Sequence, residues 1–122
     1  MLRATGASVI GPGHLQDGLP NQDAMNVCGH RGGWFAAVAD GLGSRAQSHV
    51  GSRLAVRIAR RSLDTLPANP RDAIQLFYRN WLKALPNISP DLMATTLLAA
   101  HCQGNGRCRI AQLGDGLVLC RA

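Results

Sequence analysis

Residues 33–46 read GWFAAVADGLGSRA. Its first seven residues are nearly all apolar, the composition of a central strand rather than of a strand with one wet face. The run ends on Asp40. Gly41 and Gly43 then provide a tight turn, and Ser44 is a candidate cap for the helix that follows. Two chemistries compete for such a strand–turn–helix unit. The hexad from Gly41 to Ala46 fits the dinucleotide fingerprint G-x-G-x-x-A. That fingerprint also needs a second parallel strand about 20 residues on, ending in an acid. Here Asp64 falls in a helix tail and another helix follows, and Asp40 would place negative charge beside an incoming pyrophosphate. The alternative makes Asp40 a hard oxygen ligand for Mg2+ or Mn2+, with the Gly41 carbonyl able to turn toward the same ion. A metal site needs further carboxylates, and Asp23 in PNQDA and Asp115 in LGDG each stand in or beside a loop next to a strand. Taken singly, each is ordinary turn chemistry.

Outward from that stretch, MNVCG (25–29) reads as a strand paired with 33–40 around the turn from His30 to Gly33. Residues 3–10 have modest strand character, and a Gly- and Pro-rich loop separates them from that hairpin. A helix is expected from Ser44 to about Leu66, with Gly51, Leu54, Ala55, Ile58, Ala59 and Leu66 opposite a basic face of Arg53, Arg57, Arg60 and Arg61. Asn69, Pro70 and Asp72 announce a second helix as cap, first-turn proline and early acid. Its expected buried stripe is Ile74, Phe77, Tyr78, Trp81 and Leu85. MATTLLAAH (93–101) and RCRIAQLG (107–114) read as paired strands, and LVLCR (117–121) as the start of another.

The 122 residues suit one domain. A hydrophobic content of 46% with 14 glycines argues against disordered, collagen-like and coiled-coil classes and favours a loop-rich globular domain. No apolar run approaches the length of a membrane span, and Gly, Ser and Pro interrupt the start of the chain, so a cytoplasmic protein without a membrane partner is expected. The net charge of +6 comes from 13 basic residues, all Arg but one, against 7 acids, all Asp. Such charge attracts phosphate in general without favouring a nucleic-acid partner. Cys28, Cys102, Cys108 and Cys120 form neither a C-x-x-C pair nor a zinc spacing, and are expected as reduced thiols.

Four stretches in order carry a resemblance: GLPNQDA (18–24), VADGLGSRAQSHVGSRLA (38–55), MATTLLAA (93–100) and RIAQLGDGLVLCR (109–121). Together they resemble the metal-dependent protein phosphatases of the type 2C family, especially its bacterial branch. The resemblance implies an α+β fold, a four-layer α/β/β/α sandwich of which residues 1–122 would be the N-terminal portion. It also implies hydrolysis of phosphoserine or phosphothreonine in a protein partner by a water bridging two Mg2+ or Mn2+ ions. Asp40 would bridge the ions, the Gly41 carbonyl would bind one of them, and Asp23 would support metal-bound water. Asp115 and Thr96 would orient these groups. Gln22 stands where the family usually has a glutamate ligand, Gly18 where many members carry a phosphate-gripping arginine, and Leu42 where a histidine often follows Asp-Gly. His14, His30 and His49 are substitutes in name only. Two later aspartate ligands of the family have no counterpart before Ala122, so this chain alone is expected to be inactive, and an unpaired edge and uncovered sheet face at its last strands would make it marginally stable. The competing reading is a non-catalytic pseudophosphatase or phosphoprotein-binding module.

Overall fold

A computed structural model describes residues 3–121. Four antiparallel strands form one sheet in the order β1 (Asp23–His30), β2 (Gly33–Asp40), β3 (Leu97–Cys102), β4 (Cys108–Leu113). The helices are α1 (Pro12–Gln16), α2 (Ser48–Arg61) and α3 (Pro70–Ala84), and a 3-10 turn spans Pro90–Met93. The β1–β2 hairpin closes on Arg31 and Gly32, whose φ values of 46° and 79° are the left-handed pair that matches strand twist in a two-residue turn. That turn sets the register, which pairs Asp23 with Asp40 at the hairpin's open end.

One face of the sheet is covered by helix. Phe35, Ala37 and Ala39 of β2 and Leu97 of β3 are buried there with Ala55, Val56 and Ala59 of α2. The small residues let the helix approach closely. At Gly51 an added Cβ would strike the Met93 carbonyl, so the helix can lie against the 3-10 turn only with glycine there. The Gly51 carbonyl accepts the Trp81 Nε1–H at 3.0 Å, which ties α3 to α2 and satisfies the one polar atom of a buried indole. The opposite face carries Met25, Val38, Leu98 and Ile110 at alternate positions, and Val38 and Ile110 are about half exposed. The expected four-layer sandwich is thus represented, among the described residues, by one helical layer and one sheet.

Several expectations change in detail. Residues 3–10 form no strand; Gly6 lies against Met25 and Val27 on the open face of the sheet instead of pairing at its edge. Residues 117–121 are likewise not a strand. The helix after Asp40 starts at Ser48 rather than Ser44, because the Leu42 and Gln47 amides donate to the Ala94 and Leu92 carbonyls and hold 42–47 as a looped connection. It stops at Arg61, short of Leu66, where the Ser62 hydroxyl donates back to the Ile58 carbonyl at 2.7 Å. α3 begins as expected, with the Asn69 side chain accepting the Arg71 and Asp72 amides. Its buried residues are Ala73 and Trp81, with Phe77 and Leu85 half-buried, whereas Tyr78 is 55% exposed and Ile74 lies at the rim. The buried stripe thus runs through Ala73, Phe77 and Trp81 rather than through Ile74 and Tyr78.

The cysteine expectation is also corrected. Cys102 and Cys108 form a disulfide. They are directly opposed in the β3–β4 register, with Cα atoms 4.1 Å apart, at the mouth of the hairpin loop. Sequence spacing alone does not reveal such a pairing, because it depends on which residues of the two strands stand directly opposite each other. Cys28 and Cys120 are free.

Candidate active site

Asp23 begins β1 and Asp40 ends β2, so their pairing places two carboxylates side by side on the open face of the sheet. The backbone of Asp40 is clamped by β3's approach. Its amide donates to Thr96 Oγ1 at 3.0 Å, the Thr96 amide donates to its carbonyl at 2.9 Å, and Thr95 Oγ1 donates to the same carbonyl at 3.1 Å. Thr95 carries no signal in the sequence beyond its place in the Thr-Thr pair.

Asp115 reaches the same place from the other side of Thr96. Gly114 has a φ of 91°, and a Cβ there would lie 2.7 Å from Thr96 Cγ2, so the chain passes Thr96 only as glycine. Asp23, Asp40, Asp115 and Thr96 line one cleft of about 390 Å³, walled by Met25 and Val38. Burial, a hydrogen bond to Asp23 and the charges of Asp23 and Asp115 raise the pKa of Asp40 above the ordinary carboxylate value. The proximity of the other two carboxylates therefore disfavours the charged form of Asp40.

Gln22 and Gly41 lie elsewhere. Successive residues of an extended chain face opposite ways, so Gln22 turns from the Asp23 side and is buried, 7% exposed. Its carbonyl accepts the Gly41 amide at 3.1 Å and the Ser52 hydroxyl at 2.6 Å, while its Oε1 lies toward Gly43. A Cβ at Gly41 would sit 2.7 Å from that carbonyl and 2.9 Å from Ser48 Cβ, which accounts for the glycine after Asp40. Neither Gln22 nor Gly41 lines the cleft. Ser52 carries no signal in the sequence, because its hydroxyl donates to the Gln22 carbonyl, 30 residues away, as well as to the His49 carbonyl one turn back in α2.

The positions that depart from the family pattern have local explanations. Gly18 has a φ of 67° in the turn that closes α1, where the Leu19 amide donates to the His14 carbonyl, a conformation that disfavours arginine. Leu42 uses its backbone to hold Ala94 and is exposed. His14, His30 and His49 do not line the cleft. His30 lies at the other end of β1, about 24 Å away by strand rise, against Asp64 at 3.0 Å.

The donor chemistry fits one hard divalent cation. Asp23 and Asp40 offer adjacent carboxylate oxygens whose mutual repulsion a cation would relieve. Among the described residues, no group of three or more His, Cys, Asp or Glu side chains is close enough to hold a metal ion. The residues therefore fit a two-carboxylate cation site rather than a closed binuclear cage.

A family model described as Protein phosphatase 2C matches residues 10–122. No curated protein and no solved structure matches the chain. The matched span includes every strand and helix described above, and with three aspartates brought to one cleft at the sheet's end, the chain belongs to the protein phosphatase 2C family.

Proposed function

We propose that the Asp23–Asp40–Asp115 cleft is the phosphate-hydrolysing site of a Mg2+- or Mn2+-dependent phosphatase acting on phosphoserine or phosphothreonine in proteins. The observation that carries this reading is the pairing of Asp23 with Asp40, with the Asp40 carboxyl held above its ordinary pKa. Asp23 and Asp40 would hold the cation. When bound, a divalent ion supplies an activated water at neutral pH and charge for the phosphoryl oxygens. The chain's own contribution is placement. Thr95 and Thr96 fix the Asp40 backbone through three hydrogen bonds, and Asp115 adds negative potential that draws cations into the cleft. No cationic side chain lines the cleft among the described residues. A phosphate approaching the bare carboxylates would be repelled, so these side chains suit cation binding first.

A non-catalytic reading has one specific support: Gly18 and Gln22 stand where the resemblance places the phosphate-gripping arginine and a glutamate ligand. Calorimetric titration with MnCl2, alongside phosphate release from a phosphothreonine peptide, separates the readings. The expected result is saturable Mn2+ binding and metal-dependent release, both lost in Asp40→Asn with the melting temperature retained. Mn2+ binding without release favours the non-catalytic module. Release that survives Asp40→Asn defeats the site assignment.

A further inference from the structure

The helical layer does not cover the full width of the sheet. α2 packs against β1, β2 and β3, and beyond it a groove of about 380 Å³ remains between the helices and β3–β4. That volume lies within the range of small-molecule sites. Leu66 and Phe77 wall the groove from the helical side, Leu97 and Leu113 from the sheet, and His101 and Arg109 stand on it as cross-strand partners. Arg109 Nη2 donates to the Pro67 carbonyl at 2.7 Å, which anchors the guanidinium to the segment joining α2 and α3 and leaves its other N–H groups available. Burial, and then the neighbouring His30 and Arg109, lower the pKa of His101, so its imidazole is neutral at physiological pH and can donate a hydrogen bond. No acidic side chain lines the groove among the described residues.

We propose that this groove binds a free single-chain amphiphile with a carboxylate head, its head on Arg109 and His101 and its alkyl chain between Phe77, Leu97 and Leu113. A planar carboxylate matches the guanidinium fork through two parallel hydrogen bonds. An alkyl chain brings no polar group to the apolar walls, whereas a peptide segment would have to desolvate its backbone there with few partners. The groove is on the helix-facing side of the sheet and the aspartate cleft on the other, so this site stands apart from the phosphatase reading.

Calorimetric titration of the chain with sodium dodecanoate, kept below its micelle concentration, tests the assignment. One-to-one saturable binding is expected, with dodecan-1-ol weaker by about tenfold for want of the charged head. Arg109→Gln should weaken dodecanoate by a similar factor. Ile74→Glu, at the exposed rim of the groove, should weaken it without altering the fold. A flat titration, equal affinity for acid and alcohol, or dodecanoate affinity unchanged in both folded variants would overturn the proposal. So would binding confined to phosphatidylglycerol vesicles, which would mark a membrane-facing surface instead.

Discussion

On the helix-facing side of the sheet, β2 and β3 present Phe35, Ala37, Ala39, Leu97 and Ala99, while the other side of the same strands presents Val38, Asp40, Leu98 and Ala100. Strand alternation makes both sets in one stretch of sequence, yet their fates differ. The first side uses alanines so that α2 can close on it, and Phe35 is 1% exposed. The second has no helix on it among the described residues, and Val38 is 52% exposed. Stability is concentrated on the covered face and the candidate chemistry on the open one. Carboxylates in contact with each other are tolerated where water and cations can reach them, and would be costly beneath α2.

Two neighbouring truncations test that contrast most strongly. Phe35→Ala should destabilise by about 3–5 kcal/mol, because it opens a cavity under α2. Val38→Ala, three residues on and facing the other way, should shift stability by no more than about 0.5 kcal/mol. Chemical denaturation reads both, and equal losses would show that the open face is covered in solution. Next in size is Gly41→Ala, whose methyl group must displace the Gln22 carbonyl or Ser48. A loss of about 1–3 kcal/mol is expected, together with weaker Mn2+ binding as the Asp40 turn shifts. Wild-type stability and affinity in that variant would mean that the turn has slack.

Asn69→Ala removes the acceptor for two first-turn amides of α3 and should cost about 1 kcal/mol. Mn2+ affinity should be unchanged, since α3 lies on the covered side. The smallest effect concerns pH. The folded-state pKa of His101 lies below its ordinary 6.5. Between those two values the unfolded chain binds a proton that the native chain does not, so this histidine's contribution is present above about pH 6.5 and is lost as pH falls through the window. Melting temperatures measured across that range should decline toward acid, and His101→Gln should flatten the decline.

Much of this arrangement was legible in the residues. β2 and its pairing with β1, the Asn69–Pro70–Asp72 start of α3, and the β3–β4 hairpin follow from periodicity and turn chemistry. Asp23, Asp40 and Asp115 were each identifiable beside a strand end. Less legible were features set by contacts distant in sequence. Ser44 is a good cap by type, yet the carbonyls of Leu92 and Ala94 capture the preceding loop and move the helix start to Ser48. Tyr78 fits the apolar stripe by spacing, yet faces solvent because Trp81 is drawn to Gly51.

The sequence by itself determined the four strands of the sheet, the two long helices and the order of the acidic motifs, since these depend on local periodicity, capping and glycine turns. Only the tertiary structure decided that Asp23, Asp40 and Asp115 share one cleft, that Gln22 turns away from it, that Cys102 meets Cys108, and which face α2 covers. Each of these depends on strand register and on close approach at Gly41, Gly51 and Gly114, where backbone from distant segments occupies the space a side chain would need.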